Sequence, residues 1–268
     1  MTVLTYHKIA DEVNFERQIQ YLCKHYKPVL VNQNLSDSKA NLLITVDDGD
    51  TSFYYKAFPV LKKYNISAIL FVVTNLVNTQ KPFWWDELQY YLGKEEGNKK
   101  VWEVKGWTNK KRESYLKNLR EKSSKPILKY EQLTTAQLRE MQDAGIIIAN
   151  HSHTHPMFDQ CTPEELEVEL SNSTKILKDF GFSPEIFAYP NGNSSVQSEA
   201  MLKKYGINKA YLFDHKINKT PPHPHRISRL IVNDNTPMWK FKLILSGWHT
   251  RILPFTRFAG KLTGRLKK

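Results

Sequence analysis

The sequence has few cysteines, no long apolar run and two stretches in which acidic residues are scarce. Cys23 and Cys161 are the two cysteines among 268 residues and lie far apart, which argues against a disulfide framework or a paired-cysteine metal site. No apolar run approaches the roughly 20 residues that span a bilayer. Residues 1–15 lack the charged and apolar parts of a secretory signal. We therefore expect a cytoplasmic protein without disulfides.

Two segments carry most of the formal net charge of +12. Residues 99–129 contain 11 Lys/Arg and three Glu, and residues 237–268 contain eight Lys/Arg and no acid, so each has a net charge of +8. The positive charge of the two segments together exceeds the net charge of the whole chain by four, so the rest of the chain is mildly acidic. Such a distribution, without a recognised reader motif, argues against a nucleic-acid-binding protein, so we expect no nucleic-acid partner.

Short apolar runs alternate with amphipathic stretches along most of the chain. This pattern predicts β-α units and a mostly parallel sheet. The economical architecture is an α/β fold, a distorted parallel (β/α) barrel of about seven strands. We expect residues 75–133, which are rich in Trp and Lys, to form a helical excursion with loops. The predicted strands are 2–6, 42–46, 68–73, 146–149, 186–189, 209–213 and 229–232.

Four polar clusters follow different predicted strands. They are Tyr6-His7, Asp47-Asp48, His151 to His155, and Pro190-Asn191-Gly192. In parallel barrels the loops at the carboxyl ends of the strands converge on one face and hold the chemistry. The four clusters are therefore predicted to share one site.

The carboxylates and histidines in these clusters suit a metal site. His151 and His155 lie four residues apart, and one Asp with two His leaves an open coordination position, as in catalytic zinc sites. This ligand set fits Zn²⁺, Co²⁺ or Ni²⁺. Asp47 and Asp48 point to opposite sides of a strand end, so one can bind the cation while the other faces substrate or water. Each motif alone is also compatible with an acidic turn or a loop of surface histidines.

Three motifs in this order resemble the polysaccharide deacetylases, the NodB-homology group of carbohydrate esterases. They are "TVDDGD", "NHSHTHP" and "FAYPNG", and softer resemblance extends over roughly residues 1–235. The resemblance implies a hydrolase that uses one divalent metal ion, zinc before cobalt or nickel, to remove N-acetyl or O-acetyl groups from sugars. Its expected partner is an acetylated glycan.

The resemblance also implies roles for single residues. Asp48, His151 and His155 match the metal ligands and Asp47 matches the general base, whereas His153 occupies a variable position and receives no ligand role. Three further residues are assigned to substrate or oxyanion binding: Asn191, Tyr189 and Arg229. Of these, Asn191 would donate its backbone N–H to the oxyanion.

The sequence departs from the family pattern at two points. The third motif commonly begins with an Arg that pairs with the catalytic Asp, and here that position is Ala188. Arg226 or Arg229 could supply the charge from another strand end, and we favour Arg229. The usual late His, which acts as general acid, has no clear match. The candidates for this role are His7, His215 and His225.

We expect two parts in the chain: a deacetylase domain over residues 1–235 and a basic amphipathic C-terminal segment over 236–268. The second interleaves aromatic residues with Lys and Arg, which suits docking to the inner face of an anionic membrane. Four tryptophans of the excursion could form one wall of a sugar site, or could pack the excursion onto the barrel: Trp84, Trp85, Trp102 and Trp107. The departures from the family pattern leave open that the protein binds sugars but is catalytically impaired. The net charge of +12 leaves open, as a less favoured alternative, a nucleic-acid-binding protein.

Overall fold

A computed structural model describes residues 2–29, 41–218 and 222–248. In these ranges the strands are β1 (Thr2–Tyr6), β2 (Lys27–Pro28), β3 (Asn41–Val46), β4 (Ile69–Val72), β5 (Ile147–Asn150), β6 (Ile186–Ala188), β7 (Lys209–Tyr211) and β8 (Leu230–Ile231). The α-helices are α1 (Glu12–His25), α2 (Phe58–Lys63), α3 (Trp84–Leu92), α4 (Lys94–Val104), α5 (Asn109–Lys122), α6 (Thr135–Asp143), α7 (Pro163–Asp179), α8 (Val196–Lys204) and α9 (Met238–Leu245). A π-helical turn (Phe53–Ala57) precedes α2, and a 3₁₀ turn (Pro190–Gly192) follows β6.

The strands form one parallel sheet in the order β7-β6-β5-β4-β3-β1-β8, and β2 pairs beside β3. The sheet curls so that its two edges approach each other through the segment that leads into β8. In this segment Ile227 bridges to Tyr211 of β7, and Leu230 pairs with Leu4 of β1. The predicted distorted parallel (β/α) barrel is confirmed.

Alternation along the strands divides the core into an inner and an outer layer. Val3, Leu43, Ile69 and Phe71 belong to one buried cluster. Their neighbours along the strands pack instead against the helices, since successive side chains of a strand point to opposite faces. Both faces of these strands are therefore apolar, as expected for a parallel sheet covered by helices.

Two helices begin at the capping motifs that the sequence contains. Thr134 and Gln137 form a capping box at the start of α6. Thr162 and Glu165 do the same for α7, and Pro163 occupies its first turn. Reciprocal side-chain bonds of this kind satisfy backbone N–H groups that have no partner within a helix. Both helices lead into strands whose ends carry the polar clusters, so the caps help to set the register of the site.

The excursion between β4 and α6 is helical, as predicted, and contains α3, α4 and α5. Its core consists of buried side chains that include Trp84, Leu88, Val104 and Leu116, together with Met157 from the loop beyond β5. The excursion is thus packed against the loop that carries the histidines.

Helix α9 lies in the described part of the basic C-terminal segment. It buries Phe241, Ile244 and Leu245 in the main core and exposes Trp239 to 69%. No helix in the described ranges is long and apolar enough to cross a membrane. Residues 249–268 lie outside the described residues. The boundary at residue 235, the cytoplasmic location and the membrane contact stay predictions.

Candidate active site at the strand ends

Polar side chains from four strand ends meet at one edge of the barrel. His7 follows β1, Asp47 and Asp48 follow β3, and His151 follows β5. Asn191 lies in the 3₁₀ turn after β6. These strands are parallel, so their carboxyl ends face the same cleft.

Asp48, His151 and His155 form a compact cluster that could hold a metal ion. Asp48 Oδ1 lies 3.3 Å from His151 Nε2 and 3.4 Å from His155 Nε2. One potential ligand atom from each residue lies within 4.8 Å of the other two. The three residues predicted as ligands are therefore brought together, while His153 turns away and contacts Thr74 Oγ1 at 3.0 Å.

The chemistry of the three side chains fits a divalent cation. His151 Nδ1 lies 2.9 Å from the carbonyl oxygen of Ala188, an arrangement that places its proton on Nδ1 and leaves the Nε2 lone pair free. Burial lowers the pKa of His155 to about 4, so this imidazole is neutral near pH 7. Asp48 Oδ1 is buried without a hydrogen-bond partner in the described part of the chain. Three acceptors thus converge on one point, where a cation would satisfy them.

The backbone around these ligands adopts left-handed conformations. Asp48, Ser152 and His155 have φ angles of 72°, 68° and 56°. Gly49 has a φ of 77°, and a Cβ at that position would lie 3.1 Å from Val72 Cγ1. Non-glycine residues in this region are held there by their surroundings, and such residues cluster at functional sites.

Two residues that the sequence reasoning missed hold the histidine loop in place. Glu169 of α7 accepts hydrogen bonds from the backbone N–H groups of His153 and Thr154, at 2.9 and 2.8 Å. Arg112 of α5 donates to the carbonyl oxygen of His155 at 2.7 Å. Both side chains are buried. Arg112 comes from a helix of the excursion and Glu169 from the helix that follows the histidine loop, and no motif signals either residue.

Asp47 is paired with Arg229 beneath the cleft. The two guanidinium N–H groups of Arg229 meet the two carboxylate oxygens of Asp47 at 2.6 and 2.7 Å. Burial alone would raise the pKa of Asp47, but Arg229, with His151 and His7 nearby, lowers it below its ordinary value. Asp47 is therefore ionised and can accept a proton.

The preference for Arg229 over Arg226 as the partner of Asp47 agrees with this contact, while the assignment of Arg229 to substrate or oxyanion binding stays a prediction. The Arg229 side chain is fully buried and also donates to Thr45 Oγ1 and to the carbonyl oxygen of Leu212. It positions Asp47 and does not line the cleft that substrate would enter. Arg226, the alternative considered, pairs with Glu199 at 2.7 Å instead.

Of the three histidines considered as general acid, His7 is the one that lines the cleft. Its Nε2 lies 3.8 Å from Asp47 Oδ2, and its ring packs edge-on against Phe213. His225 contacts the carbonyl oxygen of Ile207, and His215 accepts a hydrogen bond from the backbone N–H of Ile231.

The third motif places Asn191 in the cleft and Tyr189 in the core. Asn191 has a φ of 56° in the tight turn after β6 and lines the cleft. The Tyr189 side chain is fully buried and packs against Phe158 and Phe187. The Tyr189 side chain therefore supports the turn from below, and the assignment of this residue to substrate or oxyanion binding stays a prediction.

The cleft has a volume of about 370 Å³, and the excursion forms one of its walls. Trp84 and Trp85 line it as anticipated, and the Trp85 ring lies edge-on to His155 at 4.9 Å. Trp102 instead lies largely exposed beneath Lys105 Nζ, and Trp107 packs on Tyr115.

Comparison with known proteins agrees with this geometry. The profile of the polysaccharide deacetylase family matches residues 35–210, about two thirds of the chain. The chain belongs to the polysaccharide deacetylase family. The family expected from the three motifs is thus confirmed.

Two curated relatives illustrate the range of the family. The poly-β-1,6-N-acetyl-D-glucosamine N-deacetylase of Staphylococcus aureus (strain N315) is 23% identical over 247 residues, which are 89% of this chain and 71% of that protein. YxkH of Bacillus subtilis (strain 168), named within the polysaccharide deacetylases, is 24% identical over 77% of this chain. The chain spans 62% of the length of YxkH.

Solved deacetylase structures share the fold. PplD of Streptococcus pyogenes, solved with acetate, superposes with a TM-score of 0.66 at 18% identity. The superposition covers 92% of this chain and 97% of the PplD chain. IcaB of Ammonifex degensii gives a TM-score of 0.64 at 19% identity, over 91% and 95% of the two chains.

Proposed function

We propose that this polysaccharide deacetylase is a metal-dependent hydrolase that removes N-acetyl groups from an N-acetylglucosamine polymer, with zinc as its metal. The observation that carries the proposal is the Asp48, His151 and His155 cluster beside the ionised Asp47–Arg229 pair. The poly-β-1,6-N-acetylglucosamine of the Staphylococcus aureus relative is the first substrate to test. O-acetyl groups are the second choice, since the same residues would serve ester hydrolysis.

When bound, a divalent cation polarises the acetyl carbonyl and makes water a stronger acid. Asp47, kept ionised by Arg229, accepts the proton of the attacking water. The backbone N–H of Asn191 donates to the oxyanion of the tetrahedral intermediate. His7 then donates a proton to the nitrogen of the leaving amine, because it is the candidate histidine in the cleft.

A catalytically impaired sugar-binding protein was the main alternative, and two of its supports are weakened. The charge missing at Ala188 is supplied by Arg229, which reaches Asp47 from another strand end. For the missing late histidine we propose His7, which lies 3.8 Å from Asp47, as the substitute. A protein that binds sugars without turnover has no need of these groups around a metal cluster.

Acetate release by the zinc-loaded protein tests the proposal. Wild type, incubated with a β-1,6-linked N-acetylglucosamine pentamer, should release acetate, and Asp47→Asn should bind the pentamer and zinc but release about 10³-fold less. Asp143→Asn, on the exposed end of α6, is a control for the loss of one carboxylate. Binding without acetate release by wild type, on N-acetylated and O-acetylated glycans alike, would establish the sugar-binding alternative.

We also propose that residues 236–268 dock on an anionic lipid surface. Support comes from the exposed Trp239 and Trp248 beside Lys240 and Lys242, and from six further Lys/Arg with no acid in the sequence of 249–268. Trp239→Ser combined with Trp248→Ser should abolish flotation with liposomes containing phosphatidylserine, and leave thermal unfolding unchanged. Failure of wild type to float with such liposomes contradicts the docking proposal and leaves the hydrolase proposal untouched.

A further inference from the structure

The cleft contains four charged residues that the proposed mechanism does not use: Lys8, Asp50, Asp86 and Lys105. Three of them have hydrogen-bond partners. Asp50 accepts from Tyr130 and from the backbone N–H of Ser52, Lys8 donates to Tyr130, and Lys105 donates to the side chain of Asn191.

The fourth, Asp86, differs from the others. No hydrogen bond or ion pair within the described residues involves its carboxylate. Asp86 is half-buried, and its carboxylate oxygens are not among the buried atoms without a partner, so they keep contact with water and can accept hydrogen bonds from a ligand in the cleft.

Asp86 lies in the first turn of α3, where a carboxylate interacts favourably with the helix dipole, but it makes no side-chain cap. Burial raises the pKa of Asp86 to about 6; Lys8 opposes this rise, whereas Asp50 and Asp48 add to it. The helix therefore does not engage the carboxylate oxygens of Asp86, and the residue lines the cleft.

Asp86 lies beside an aromatic pair at the cleft. The neighbouring Trp85 ring stacks on Phe83 with centroids 4.8 Å apart and an interplanar angle of 10°, and both rings line the cleft. Aromatic side chains offer an apolar surface for the C–H groups of a sugar ring. A carboxylate beside them offers two strong hydrogen-bond acceptors for hydroxyl groups.

We propose that Asp86 is a substrate-binding residue that accepts hydrogen bonds from hydroxyl groups of the N-acetylhexosamine ring held in the cleft. The assignment rests on the proposed function for the identity of the ligand. Asp86 and the reacting groups Asp47 and His7 line the same cleft of about 370 Å³. A ring gripped through its hydroxyl groups by Asp86 is fixed relative to Asp47, so Asp86 contributes to orientation and to selection of a sugar over other acetylated molecules.

Binding measurements on the zinc-loaded Asp47→Asn protein test this proposal, because that protein retains substrate. With the β-1,6-linked N-acetylglucosamine pentamer as probe, adding Asp86→Asn should raise Kd about 10-fold, the range expected for a lost charge-assisted hydrogen bond. Adding Asp143→Asn instead should leave Kd unchanged. The thermal midpoint of Asp86→Asn should change little, whereas loss of a residue with a structural role would lower it clearly.

Deoxy sugars identify the group that Asp86 binds. Methyl N-acetylglucosaminides lacking the 3-, 4- or 6-hydroxyl are compared by NMR titration. To the protein that retains Asp86, at least one deoxy sugar should bind about 10-fold more weakly than the parent sugar. To the Asp86→Asn variant, the same deoxy sugar and the parent sugar should bind equally well. Equal Kd values for the two proteins with every sugar would overturn the proposal. The proposal would also be overturned if Asp86→Asn weakened the binding of a de-N-acetylated oligomer and of no other sugar, since Asp86 would then bind an ammonium group.

The outcomes separate this proposal from the proposed function. If Asp86→Asn weakens glycan binding but wild type releases no acetate, the hydrolase proposal fails and the role of Asp86 stands. If acetate is released and the Kd is unchanged in Asp86→Asn, the role of Asp86 fails alone. Absence of glycan binding by the zinc-loaded protein at millimolar concentration also overturns the role of Asp86.

Discussion

The two sides of the cleft are built in different ways. On one side, Asp47, Asp48 and His151 follow directly on buried parallel strands, and their positions are fixed by the barrel. On the other side, Trp85, Asp86 and Lys105 belong to an excursion whose helices have a core of their own. The strand-end side holds the groups that we propose to react, and the excursion side holds the groups that we propose to contact a sugar.

This difference suggests a division between rate and recognition. Catalytic groups require accurate placement, which strands of a barrel provide. A wall made from inserted helices can change without disturbing the barrel. We expect substitutions on the strand-end side to lower kcat or metal content, and substitutions on the excursion side to raise KM.

The largest effect is expected from Arg229→Met. This change leaves the buried Asp47 carboxylate without its counter-ion, which should lower the free energy of unfolding by about 3–5 kcal/mol. It should also lower kcat by at least two orders of magnitude, since the base loses the cation that keeps it ionised. Urea unfolding and acetate release measure the two effects. Arg226→Met, which removes the exposed partner of Glu199, is the matched control and should lose much less of either, because Lys203 still pairs with Glu199.

His7→Gln should lower kcat about 10²-fold without loss of metal or stability. The expected reason is the missing proton donor to the leaving amine. His153→Gln and His215→Gln serve as comparisons, because neither residue lines the cleft. An activity loss of the same size in all three variants would contradict the role of His7.

Glu169→Gln is expected to weaken zinc binding about 10-fold. The carboxylate accepts hydrogen bonds from two backbone N–H groups of the histidine loop, and an amide in its place would direct an N–H group at one of them. Competition with a chelator of known affinity measures the change. An unchanged zinc affinity would mean that the loop is held by its other contacts, with Arg112 foremost among them.

The smallest effect is expected within the excursion. Glu87 is buried and pairs with Arg120 through two bonds of 2.7 and 2.6 Å. Glu87→Gln should lower the free energy of unfolding by about 1–2 kcal/mol and raise KM for glycan a few-fold, with kcat unchanged. A fall in kcat as large as that of His7→Gln would remove the distinction between the two sides.

The strands could be predicted from the sequence because they depend on local patterns, and the ligand set of the candidate metal cluster because its motifs resemble those of the family. The predicted strand 2–6 coincides with β1, and the capping motifs in the sequence lie at the starts of α6 and α7. Asp48, His151 and His155 meet because parallel strands bring their carboxyl ends together.

Other features depend on packing between distant segments, which no local pattern records. Arg226 and Arg229 are three residues apart near a strand end, and the register of β8 decides that Arg229 faces Asp47. Tyr189 was assigned to the substrate, yet its side chain fills the core beneath its motif. The roles of Glu169 and Asp86 become visible when helices from elsewhere in the chain are placed over the strand ends.

The zinc content of four purified proteins tests the central claim most directly. After incubation with zinc and removal of the excess, wild type and His153→Ala are predicted to contain close to one equivalent, and Asp48→Ala and His155→Ala to have lost it. Equal zinc in all four proteins, or no zinc in wild type, would contradict a metal centre at Asp48, His151 and His155.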